Sequence, residues 1–240
     1  MLKALIKYRF KQYFKTSKFV MPLLILIVVQ FVLYSMNPVG VVESFVLSSI
    51  FIFVIMVWAG IMSSDLEDPV SEQIIILRIR SEWKYYISQV LFLTVISAVA
   101  AAAAIFFPVV INIIDKNQLF IRPLTAADIV CSYFLLWGSA LMGSSLGDLF
   151  PARVMRDRKM AILLTVLITI ISVTKVSLLD TLPLPAILLC VVPPMSEIFA
   201  MFGLEEFYSV WKVVLAVIVL MAYGWLMAGL KIKLLIRNKF

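Results

Sequence analysis

Few residues in this chain are equipped for chemistry. Asp148 follows Gly147 at the end of an apolar run, and Asp128 lies near that run's start. An aspartate in such a setting serves acid–base chemistry when a second carboxylate shares the proton. Position 145 is Ser, and no neighbouring apolar run supplies the second aspartate. Asp128 and Asp148 are expected at the two ends of the run, at interfaces and not buried. The chain has no histidine, which removes a Ser-His-Asp relay and an H-E-x-x-H zinc site. No G-x-x-x-x-G-K-[ST] stretch offers a P-loop for ATP. Cys131 and Cys190 stand in apolar stretches without disulfide or metal spacing. No catalytic residues, no metal ligands and no cofactor are therefore expected in this chain, and it is not expected to be an enzyme.

The elements that carry these residues are apolar. Hydrophobic residues make up 63% of the 240 positions, charged residues 15%, and mean hydropathy is +1.08. Lipid, not water, accommodates that much apolar surface. The net charge of +7 does not point to nucleic acid, because the basic residues flank apolar spans. A transmembrane helix needs about 20 mostly apolar residues. Six spans meet this, at about 19–36, 45–62, 87–114, 126–146, 160–179 and 210–230. The third is overlong, and Pro108 is expected to kink or end it. Lys175, near the end of the fifth, is expected to snorkel. The first run, preceded by eighteen residues and followed by no A-x-A site, is not expected to be a signal peptide. Seventeen of the 21 Lys and Arg fall in segments that share one side if both termini are cytoplasmic. The acids divide evenly, so basic residues alone carry the positive-inside signal. The expected fold is an all-α integral membrane protein with six transmembrane helices.

Residues 1–18 read as an amphipathic helix. Lys3, Lys7, Lys11 and Lys15 recur every four residues, and Leu2, Ile6, Phe10 and Phe14 follow the same spacing one position earlier. Leu5 and Tyr13 widen the apolar side. The expectation is a helix in the membrane surface, lysines towards phosphates and aromatics towards acyl chains. Small residues mark close packing: Ser139, Gly143 and Gly147 in the fourth span, the alanines around 100–104 in the third, Gly224 and Ala228 in the sixth. Packing within one subunit is the simpler reading of each stripe.

Two loops stand out. In 63–86, Asp68 and Pro69 form a helix start. Ile75, Ile79 and Trp83 then fall at four-residue steps, offering an apolar face with Arg78, Arg80 and Glu82 on its rim. Such a face suits lipid or a groove on another protein. In 183–206, Pro183 and Pro185 precede the apolar run 186–192, and Pro193 and Pro194 end it. Seven residues cannot cross a bilayer as a helix, so the run is expected to dip into the outer leaflet and return.

This layout resembles the membrane subunit of ABC transporters of the type-2 exporter class, over essentially the whole chain. In the loop between spans two and three, Val70-Ser71 stands where that class has Gly-Thr. Ile74-Ile75-Ile76 stands for its Leu triplet, Ser81-Glu82-Trp83 for its Ser-Arg-aromatic stretch, and Ser88-Gln89 for Gly-Lys. The departures are Val70 for Gly, Gln73 for an acid and Ile79 for Pro. The resemblance implies a pore formed by two membrane subunits, the second being this chain or a close relative. Two separate ABC ATPase subunits would hold ATP and magnesium. Loop 63–86 would carry the coupling helix, with Asp68, Ser71, Glu72, Ile75, Arg78, Ile79, Arg80, Glu82 and Trp83 meeting the ATPase, joined by Arg153 and Arg156. Residues 1–18 would be the elbow helix, and Pro183, Pro185, Pro193, Pro194 and Glu197 would lie at an outer gate. It further implies a multi-pass protein of a bacterial cytoplasmic membrane. Among relatives, small subunits of this kind resemble exporters of hydrophobic or amphipathic peptides, including the phenol-soluble modulin exporter and bacteriocin systems. Drugs, lipids and other small amphiphiles are the alternative cargo, and a non-transporting immunity or scaffold protein is the alternative role.

Overall fold

The computed structural model describes residues 2–35, 38–66, 69–79, 81–151, 153–155, 157–181, 192–203 and 205–237. Those residues form helices α1 (Leu2–Lys15), α2 (Val20–Leu33), α3 (Val41–Ser64), α4 (Pro69–Ile79), α5 (Glu82–Ile114), α6 (Ala126–Gly147), α7 (Arg158–Thr181), α8 (Met195–Phe202) and α9 (Val210–Arg237). Among them, α3, α5, α6, α7 and α9 are long and apolar enough to cross a membrane. The pair α1 and α2, bent by 73°, makes a sixth candidate. Length and composition thus fit a multi-pass membrane protein.

The bundle is built around α6, which packs on α3, α9 and α5. Glycines set the α3–α6 distance. A Cβ on Gly143 would lie 2.3 Å from the Phe53 carbonyl oxygen, and one on Gly147 would lie 2.0 Å from that of Val57. Gly60 of α3 answers them, its Cβ direction reaching 2.3 Å from the Ser144 carbonyl oxygen. The two backbones therefore touch, which is how helices associate where lipid gives no hydrophobic drive. On α9, Gly224 faces Leu141 and Met142 of α6. All four glycines meet neighbours within this chain. Ala101 and Ala104 of α5 are fully buried in the cluster around Phe45 and Ile52.

Several spans differ from the expected bounds, the second running from Val41 to Ser64 and the fifth from Arg158 to Thr181. The first is helical only from Val20 to Leu33, about 21 Å at 1.5 Å per residue. The third begins at Glu82 and runs through Pro108 to Ile114 without ending there. Pro108 has no N–H to donate to the Ala104 carbonyl, and the helix continues past it. The sixth continues to Arg237.

Connections alternate between two ends. At one end, Gln12 of α1 donates to the Leu66 carbonyl at 2.7 Å and Lys18 donates to the Asp65 carbonyl at 2.7 Å. The close of α6 meets the last turns of α9 there. At the other end, Val39 and Phe120 form a parallel bridge, with Val39 N–H donating to the Leu119 carbonyl at 3.0 Å. The segments that hold most of the basic residues thus converge at one end.

Candidate functional site

At the basic end, α1, α4, α5, α6, α9 and the loop carrying Arg153 bring polar side chains into a largely buried cluster, with the more exposed Arg158–Asp65 pair beside it. Asp148 caps the C-terminus of α6, and Lys231 lies on the face of α9 that also carries Gly224 and Ala228. The two form an ion pair with side chains about 5% exposed. The Lys231 ammonium also donates to Gln89 Oε1 of α5 at 2.8 Å. Arg9 of α1 is buried as well, its guanidinium 4.8 Å above the Tyr85 ring. Its neighbour Tyr86 accepts a 2.8 Å hydrogen bond from Arg153, which pairs at 3.6 Å with Glu72 of α4. Arg158, opening α7, pairs with Asp65 and donates to the Ile61 carbonyl at 3.2 Å. A small cavity of about 30 Å³ between Arg9, Ser63, Glu72, Gln89 and Lys231 has room for a water molecule.

The arrangement joins α4, α5, α6 and α9 through paired side chains. Buried charges persist only when paired, because removing one partner strands the other in a low dielectric. Glu72 of α4 is thus joined through Arg153 to Tyr86 of α5. The same α5 carries Gln89, which holds Lys231 and so the α6–α9 contact. Asp148 has an ammonium as its ion-pair partner, whereas a proton-sharing dyad requires a second carboxylate. Among the described residues, no group of three His, Cys, Asp or Glu side chains can hold a metal ion.

The expected docking residues divide. Ile75 and Ile79 are half-buried against Tyr85, Tyr86 and Ile232, while Trp83 is exposed on a different helix. The four-residue spacing misleads because Ser81 is extended, with φ −156° and ψ 103°, so the helix breaks before Trp83. The apolar side chains that α4 leaves exposed are Val70, Ile74 and Leu77. Ser71 and Arg78 are exposed beside them, and Glu82 is half-buried in the first turn of α5. Asp68, Arg80 and Arg156 lie outside the described residues. On α1, Lys3, Lys7, Lys11 and Lys15 are all exposed. Phe10 is half-buried and packs edge-on to Phe92 of α5 at 5.0 Å, and Phe14 is exposed. Tyr13 is buried against the same Phe92, so α1 rests on protein as well as offering a surface.

At the opposite end, Pro193 and Pro194 are buried at the entry to α8, which packs on α7 and α3. Glu197 of α8 pairs with Lys175 at 2.8 Å, so the lysine is held by protein instead of snorkelling. Pro183 and Pro185, with the apolar run to residue 191, lie outside the described residues. Arg122 clamps Asp128 with two bonds of 2.7 and 2.8 Å, donates to the Glu206 carbonyl at 2.8 Å and covers the Phe207 ring at 4.4 Å. Hydrogen bonding to Asp128 raises the Arg122 pKa. Burial pushes the Tyr208 phenol up while its hydroxyl sits 2.9 Å from that of Ser132. Thr125 and Asp128 complete a capping box at the start of α6.

The two aspartates stand at the ends of α6 as expected, but both are buried in protein and paired, which overturns the expectation that they are unburied. The sequence reading missed Arg9 and Lys231 for a common reason: each was counted among surface cations. Spacing holds the signal, since Leu5, Arg9 and Tyr13 recur every four residues, as do Gly224 and Ala228 with Lys231 three on. Comparison of this chain with family models, with curated proteins and with solved structures returned no match.

Proposed function

We propose that this chain is the membrane subunit of an ATP-driven exporter of the type-2 ABC class, lying in a bacterial cytoplasmic membrane with its basic end cytoplasmic. One observation carries the reading. Helix α4 sits between two long apolar helices, one side held by Tyr85, Tyr86 and Arg153 and the other leaving Val70, Ile74, Leu77 and Arg78 exposed. That is the form of a lever: one face for a partner, one face wired to the bundle. The concentration of basic residues at this end supports its cytoplasmic placement, and no P-loop in the chain supplies fuel. Two separate ATPase subunits would meet α4, and a second membrane subunit would complete the pathway. Hydrophobic or amphipathic peptides are the proposed cargo, following the sequence resemblance.

Inverted membrane vesicles from cells expressing the chain with its ATPase test this. A fluorescent amphipathic peptide should accumulate inside only with ATP, and Leu77→Glu should abolish accumulation while the protein still inserts. Accumulation of small lipophilic dyes but not the peptide would replace the cargo. No accumulation of either, with or without ATP, would overturn transport in favour of a scaffold or immunity role.

A further inference from the structure

We propose that the bend between α1 and α2 encloses a binding site for one acyl chain of an anionic phospholipid, whose headgroup lies on Lys11 and Lys15. A cavity of about 270 Å³ opens beneath the bend, walled by Tyr13, Phe14, Leu26, Met56, Ala100 and Ala103 with almost no polar surface. The walls are built by identifiable means. Ser17 takes a left-handed conformation (φ 54°), turning the chain so that α1 and α2 diverge by 73°. Edge-to-face contacts, Tyr13 with Phe92 at 5.4 Å and Phe14 with Phe19 at 5.0 Å, brace the aromatic side. On the far wall Ala100 and Ala103 are too small to fill the gap. The mouth is apolar, with Phe14, Leu23 and Val99 exposed around it.

Charge complementarity selects the occupant. Lys11 and Lys15 are exposed and stand one residue beyond Phe10 and Phe14, which line the cavity. Lys18, the next cation, is already donating to the Asp65 carbonyl. An acyl chain gives the carbon-lined walls the contacts they otherwise lack, and a negative headgroup meets the two lysines where the chain emerges. A neutral lipid satisfies only the first of these. The site goes beyond the transport reading and stands or falls without an ATPase.

Native mass spectrometry of the purified full-length chain, offered equal amounts of phosphatidylglycerol and phosphatidylcholine with identical chains, tests it. One phosphatidylglycerol should be retained in preference. Lys11→Gln with Lys15→Gln should cut that preference roughly 25-fold, since each cation near an anionic headgroup is worth about fivefold. Lys3→Gln with Lys7→Gln, further from the mouth, should leave most of it. Ala103→Phe should lower retention of both lipids, and the milder Ala100→Leu should do the same should the larger change impair folding. Equal retention of the two lipids by the unaltered chain would overturn the charge assignment. Undiminished phosphatidylglycerol binding in both alanine variants would overturn the cavity, leaving only a basic surface.

Discussion

Helices α6 and α7 are both long and apolar enough to cross a membrane, yet they live in different surroundings. Leu135, Leu136, Ala140 and Met142 of α6 are fully buried, and its polar Ser132, Ser139 and Ser144 are buried with them. On α7, Leu163, Val166, Leu167 and Ile170 are exposed, and only a narrow strip through Ala161, Thr165 and Ser172 is covered. Hydropathy does not mark the central helix, for the exposed α7 is the more apolar of the two, lipid being as apolar as a protein interior. Small residues do. Where glycine lets backbones meet, a helix becomes central; where branched side chains ring it, the helix presents a surface. The buried strip of α7 shows a further economy, each hydroxyl bonding back to its own helix, as Thr165 does to the Ala161 carbonyl at 2.8 Å.

The contrast can be broken most forcefully at the charged end of α6. Asp148→Asn should destabilise the detergent-solubilised protein by about 3–5 kcal/mol, because Lys231 is then buried without its counter-charge. The exchange Asp148→Lys with Lys231→Asp should recover part of the loss in thermal unfolding, and no recovery would mean the pair's surroundings, not the pair, set its value. Next comes Gly147→Ala. A methyl 2.0 Å from the Val57 carbonyl forces α3 and α6 apart, at a cost of about 1–3 kcal/mol. Glu72→Gln should be smaller still, about 1 kcal/mol, since its partner Arg153 keeps its bond to Tyr86. Smallest is Leu167→Ala on α7, expected within about 0.5 kcal/mol because its side chain meets lipid in either state. A large loss there would show that a partner, and not lipid, covers α7.

Much of the fold was legible because the apolar runs are long and the loops between them carry charge. The five to six membrane-length helices, the helix in 63–86 and the close-packing role of Gly143, Gly147 and Gly224 all follow from residue type and spacing. What spacing failed to show were places where the backbone leaves its period or where an exception is satisfied from afar. The extended Ser81 breaks the register between Ile79 and Trp83. Proline at 108 stays inside its helix, which runs on to Ile114. Arg9 reads as one more basic residue until Tyr85, distant in sequence, is placed beneath it. The charged cluster was hidden for the same reason, its members coming from positions 72, 89, 148, 153 and 231. Each member has a local excuse for being polar, and only the fold joins them.

The central claim is that power reaches this chain from outside through the exposed face of α4. The direct test is gentle extraction of the tagged protein from its native membrane, with quantitative mass spectrometry of what remains bound, for the unaltered chain and for the pair Ile74→Glu with Leu77→Glu. The account predicts a P-loop ATPase in equal amount with the unaltered chain and its loss from the variant, while the variant remains folded in the membrane. An ATPase retained equally by both, or by neither under several mild detergents, would contradict it.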